Sequence, residues 1–152
     1  MKSLYSAVVL LALATPLSAQ ADDVKVTPLH STETTASGQP IALPRGDIEV
    51  ITSTYEIAPG AKLPEHKHPY PRYGYVESGK LRITNTETGK SVEYGPGDFV
   101  VESIAQWHKA ENIGTDPVKL LVIDQIVPGH KTTILRKQQA AKAGASEKPA
   151  AK

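Results

Sequence analysis

Cysteine is absent from this chain of 152 residues. That removes a disulfide framework, a thiol nucleophile and thiolate metal ligands, and leaves histidine as the foremost metal ligand. A charge excess of either sign is also missing: 17 Lys and Arg face 16 Asp and Glu, for a formal charge of +1. Aromatics are few, with one Trp, one Phe and six Tyr. No basic stripe with interleaved aromatics appears, so a nucleic-acid partner is excluded from the expectations. The apolar run near the start, Ala7 to Ala14, is shorter than the roughly 20 residues a membrane-crossing helix needs. Between Asp47 and Val127 no helical period is found, and no internal repeat.

What is present first reads as an export signal. Lys2 supplies a positive start, AVVLLALA follows, Pro16 breaks the run, and Ala19-Gln20-Ala21 forms a small-x-small cleavage pattern. Cleavage after Ala21 is expected, with Ala19 as the second choice, giving a mature protein beginning at Asp22, no membrane span after cleavage, and a periplasmic or secreted location. Residues 22–43 are polar and rich in Thr, Ser and Pro, and read as an irregular lead-in with one edge strand near Ile41. Residues 44–130 read as the folded domain. Residues 131–152, rich in Ala, Lys and Gln at their end, offer no apolar face and are expected to form a disordered, flexible tail, with at most a short frayed helix from Lys131 to Ala143.

The middle of the chain has the marks of strands. Asp47 to Ile57 (DIEVITSTYEI) alternates with β-branched enrichment, placing Ile48 and Val50 on one side, and Ala58-Pro59-Gly60 ends it. GYVESGKLRIT reads as two short strands around Ser78-Gly79. Leu81 to Asn85 and Ser91 to Tyr94 flank Glu87-Thr88-Gly89-Lys90 as a hairpin. Val118 to Val127 is nearly continuous in apolar residues and reads as buried on both faces. With 12 Pro and 11 Gly punctuating such segments, an all-β sandwich or barrel is the expected class.

Three of the five histidines form a constellation. His66 and His68 are one residue apart, so on a strand both imidazoles project from one face. His108 opens another predicted strand, Trp107 to Asn112; laid beside the first, it would bring three imidazoles together. Such a set suits Zn, Cu, Fe, Ni or Mn without distinguishing them. His30 and His130 have no partner in sequence and are expected to be exposed.

The segment Gly60 to His68 followed by Val76-Glu77-Ser78-Gly79 resembles the first cupin motif, G-x5-H-x-H-x3,4-E-x6-G, and Gly97 to Asn112 resembles the second, G-x5-P-x-G-x2-H-x3-N. The resemblance implies an antiparallel jelly-roll-like β-barrel, one divalent metal ion inside its mouth on His66, His68 and His108, and a possible homodimer. Three departures stand out. Ser103 replaces the motif's proline, Ala105 replaces its glycine, and Arg72, or Tyr73 at the alternative spacing, replaces the glutamate. The last leaves a three-histidine site as the expectation. Glu65 and Glu102 are carboxylates without an assigned direction.

Two functions stay open at this point: a small-molecule metalloenzyme, oxygenase-like by analogy with three-histidine iron sites, or a non-catalytic periplasmic protein binding a small ligand or metal. Arg72 shares parity with His66 and His68. If it points inward, an anionic small molecule bridging it and the metal is the expected ligand; the other readings pair it with Glu65, Glu77 or Glu102, or leave it in solvent.

Overall fold

In the computed structural model, which describes residues 24–139, nine strands form two antiparallel sheets. The elements are β1 (Glu49–Ile57), β2 (His66–Lys67), β3 (Arg72–Ser78), β4 (Leu81–Asn85), β5 (Ser91–Tyr94), β6 (Phe99–Val101), β7 (His108–Asn112), β8 (Val118–Ile126) and β9 (Ile134–Leu135). One sheet runs β1-β8-β3-β6 and the other β5-β4-β7-β2-β9. The chain is therefore the expected all-β jelly roll, built as two stacked sheets whose edge strands are β1 and β6 in one and β5 and β9 in the other. The ladders do not close into a barrel among the described residues.

The core lies between the sheets. Val118, Leu120 and Val122 point inward from β8 and meet Ile57, Val76, Leu81 and Ala110. Burying a side chain of this kind is worth about 1.5–3 kcal/mol, so β8, paired on both sides, anchors the first sheet. Its outer face is only partly covered: Lys119 is exposed and Leu121, Ile123 and Gln125 are half-buried. The expectation of burial on both faces fails because, among the described residues, no layer packs outside this sheet. On β1 the inward residues are Ile51, Ser53, Tyr55 and Ile57, whereas Val50 is 56% exposed. The apolar side of Ile48 and Val50 thus faces outward, and the register with β8 decides the face.

Between β3 and β4 the chain passes from one sheet to the other through Gly79, whose φ is 81°. A Cβ there would lie 2.7 Å from the Val118 Cα and 2.8 Å from the Pro117 carbonyl oxygen. Only glycine permits both the left-handed backbone and this approach.

The lead-in is pinned down. The Gln39 amide accepts from the Ile104 N–H and donates to the Ile104 carbonyl, both at 2.9 Å, and the Ala36 N–H donates to the Val101 carbonyl at 2.8 Å. Its bridge joins Thr34 to Pro40, close to the expected edge strand. At the other end β9 pairs with β2, so the ordered domain passes the expected limit at 130, and helical backbone starts only at Arg136. The expected leader, 1–21, and the tail beyond 139 lie outside the described residues.

Candidate metal centre

The site forms where three strands bring polar side chains into the core. β2 and β7 are antiparallel neighbours with His66 directly opposite His108. After β2 the backbone of His68 bridges to Ile104, and the Ala105 N–H donates to the His68 carbonyl at 2.7 Å. Ala105 holds φ at 58°, the one non-glycine among the described residues with a positive φ. This left-handed turn, at the place where the cupin motif has glycine, lets the chain leave β6 and present Glu102 and His108 to the same point.

His66, His68, Glu102 and His108 are all buried, and one ligand-type atom from each lies within 4.8 Å of all the others. Each histidine is oriented by a backbone carbonyl on Nδ1: Pro64 at 2.7 Å for His66, Thr132 at 2.8 Å for His68 and Gln106 at 2.9 Å for His108. A carbonyl can only accept, so Nδ1 carries the proton in the neutral ring and Nε2 is left with its lone pair. The Nε2 atoms of His68 and His108 stand 3.3 and 2.9 Å from the Glu102 carboxylate. Lone pairs facing a carboxylate at such distances need a proton or a cation among them. His108 Nε2 has no well-aligned hydrogen bond despite the short contact, as expected of a group aimed at a shared centre rather than at one partner. The donor set therefore fits a divalent ion, with the outer hydrogen bonds that ligating histidines ordinarily make.

Electrostatics agree with the geometry. Burial drives His66 down to about 4, with the neighbouring His108 adding to the effect. Burial also opposes ionisation of Glu102, but His68 and His108 outweigh it and hold the carboxyl well below its usual range. Burial lowers His108 too, yet the adjacent Glu102 more than offsets this and its net displacement is upward. A carboxylate anion and lone-pair nitrogens are what a divalent cation requires.

Arg72 does point inward, from the opposite sheet. It is 4% exposed and forms a two-pronged ion pair with Asp124, Nε to Oδ1 at 2.7 Å and Nη2 to Oδ2 at 2.8 Å. Its Nη1 lies 3.4 Å from His68 Nε2. Burial disfavours the charged guanidinium, but Asp124 and Glu102 keep it firmly protonated. The expected partner is a bound anion, or else Glu65, Glu77 or Glu102; the carboxylate that takes the guanidinium is instead Asp124 of β8. The signal was there, because Asp124 shares parity with Val118, Leu120 and Val122, which makes it a lone carboxylate on the apolar face of β8. Glu102 carries no such signal, since Arg72 stands where the motif has its glutamate and the carboxylate arrives from the segment just past β6.

The remaining residues stand outside the cluster. Asn112, fully buried, donates to the Ile57 and Asp116 carbonyls and accepts from the Gly114 N–H. Glu65 leaves the centre to bond Thr86 and Arg136. Trp107 faces away from His108 and is flanked by Lys67 and Arg136. His30 and His130 are exposed and stand outside the cluster.

Fold and site together define a two-sheet β protein with a buried three-histidine, one-carboxylate cluster between its sheets. Residues 53–124 match the cupin domain model, and the chain carries a cupin domain. Among solved structures it resembles the Lactobacillus farciminis oxalate decarboxylase formate complex, at TM-score 0.53 and 23% identity, covering 61% of this chain and 28% of that one. It also resembles a mutant of Bacillus subtilis oxalate decarboxylase, at TM-score 0.52 and 24% identity, covering 79% of this chain and 37% of that one. The chain thus spans well under half the length of those enzymes, and the likeness is one of fold. No curated protein sequence matches the chain.

Proposed function

We propose that the protein is an exported metalloenzyme acting on a small molecule, with one divalent ion held by His66, His68, His108 and Glu102. The observation that carries this reading is the fixing of all three Nδ1 atoms on backbone carbonyls, which leaves three Nε2 lone pairs and one ionised carboxylate to converge. A divalent ion in this place supplies Lewis acidity or, if redox-active, electron transfer to and from a bound molecule. The chain's own residues set the conditions for it. Glu102 cancels one of the two positive charges, and the carbonyls of Pro64, Gln106 and Thr132 hold the rings. Arg72, neutralised by Asp124, fixes the side of the site next to His68 without adding a net charge.

Space beside the cluster is small. An interior void of about 20 Å³ touches His66, Arg72 and Glu102, about the room one water needs. Any reacting group that reaches the ion through it is therefore no larger than a few atoms. Elemental analysis of the full-length purified protein tests the reading. Stoichiometric Fe, Mn, Ni or Cu would support redox or oxygen chemistry, Zn would support the metal site alone, and a protein that takes up none of these ions would refute both.

A further inference from the structure

A second, larger cavity of about 130 Å³ opens on the other side of His108, between β5 and the lead-in. Its apolar wall is Ile83, Val92 and Tyr94, and Ala36 and Ser37 of the lead-in close it opposite. Ile83 also lines the interior void beside Glu102, so Ile83 and His108 together stand between the outer cavity and the metal centre. An apolar cavity of about 150 Å³ accommodates a benzene ring, and this one is of that order.

Two polar features of the wall lack partners. Ser103 is 7% exposed and lines the cavity, and its hydroxyl makes no hydrogen bond among the described residues. It adjoins Glu102, and it stands where the cupin motif has proline, so the hydroxyl is a feature of this chain. Lys90, exposed at the rim, makes no ion pair among the described residues, as is common for surface lysines, and sets a positive charge at the cavity's mouth. The Ser103 hydroxyl is open to the cavity, since the buried unpartnered side-chain atom among the described residues is His108 Nε2, so water satisfies it there and a ligand oxygen can take that water's place. The wall itself is rigid, since Gln39 and Ala36 are bonded to the same segment that carries Glu102 and Ser103.

We propose that this cavity binds a small organic carboxylate of about one ring in size, with its charge at Lys90, its body on Ile83, Val92 and Tyr94, and an oxygen substituent on the Ser103 hydroxyl. The proposal goes beyond the metalloenzyme reading: His108 is the wall that the cavity and the metal centre share, so the bound molecule adjoins the centre without touching the ion.

The probe is 4-hydroxybenzoate, titrated by calorimetry into full-length protein, with benzoate and 4-hydroxybenzamide as analogues lacking the hydroxyl or the charge. Wild type should prefer the probe to either analogue by about fivefold. Ser103→Ala should erase the preference over benzoate and leave the preference over the amide. Lys90→Glu should erase or invert the preference over the amide and leave the other. Metal content, measured on the same samples, should be unchanged in both variants, which circular dichroism would show to be folded. No binding by wild type at millimolar concentration, or equal preferences in wild type and both variants, would overturn the cavity assignment. If the preferences hold in protein that takes up no metal, the cavity stands and the metalloenzyme reading falls.

Discussion

His66 and His108 sit directly opposite each other across the β2–β7 ladder, their ring centroids 4.4 Å apart. The pairing turns a local H-x-H pattern into a site, because it sets the one histidine of β7 on the face that β2 already presents. A slip of one residue would turn His108 to the outside. Replacing His66, His68 or His108 by Ala, or Glu102 by Gln, is expected to reduce bound metal far below stoichiometry. His30→Ala and His130→Ala should leave it unchanged. Retention of full metal in both His66→Ala and His108→Ala would remove the site from consideration.

The metal-free protein should lose stability as acid is added. His66 is displaced from 6.5 to about 4, so its contribution is present above pH 6.5 and lost as pH falls to about 4. His108 is displaced upward; its contribution is fully present below 6.5 and does not change across this window. Glu102, displaced downward, begins to subtract only below about 4.5. The slope between pH 6.5 and 4 therefore belongs to His66 and is worth up to about 3 kcal/mol. Thermal melts of metal-stripped protein across this range should show the decline, and His66→Phe should flatten it. The proton that Glu102 favours on His108 also competes with the metal, so uptake should weaken from above pH 6.5 downward and release protons to the buffer.

Much of this arrangement was legible in the sequence because it is local. The strands from Asp47 to Ile57 and from Leu81 to Tyr94 announced themselves by alternation and turn residues, and the three histidines by parity within two short motifs. What was not legible depended on register between distant segments. Nothing near Glu102 says that a left-handed Ala105 turns the chain so that its carboxylate meets His68. Nothing near Arg72 says that Asp124 is its cross-strand neighbour, since β3 and β8 meet only in the folded sheet. Ile48 and Val50 misled for the opposite reason: their alternation is real, but the pairing with β8 commits the other face to the core.

Two backbone positions carry opposite expectations. Ala105 pays for its φ of 58° a penalty of about 1–2 kcal/mol that glycine avoids, partly offset by glycine's greater freedom when unfolded. Ala105→Gly should therefore raise stability by about 0.5–1 kcal/mol in urea denaturation and leave metal content intact. Gly79→Ala meets both a φ of 81° and a backbone contact at 2.7 Å. It should cost at least about 2 kcal/mol, because Val118 lies in the central strand and cannot withdraw. A Gly79→Ala protein as stable as wild type would mean that β3 and β4 do not cross between the sheets as described.

Arg72 and Asp124 test whether the ion pair serves stability or the site. The two are 4% and 3% exposed, so removing one leaves the other charge buried and unpaired. Asp124→Asn or Arg72→Met alone is expected to cost about 3–5 kcal/mol. The double replacement Arg72→Met with Asp124→Leu substitutes apolar volume for both charges and should recover most of that loss, since a buried pair is often no better than the packing that replaces it. Metal binding should behave differently. Arg72 Nη1 is 3.4 Å from His68 Nε2, and the guanidinium also favours the ionised Glu102. Loss of both charges should thus leave the four ligands in place while altering the affinity of the ion by no more than about tenfold. Chemical denaturation and metal titration of the three variants separate the two roles. Full recovery of stability with metal binding abolished would assign the pair to the site itself, and Arg72 would then count among the residues that hold the ion's surroundings in place.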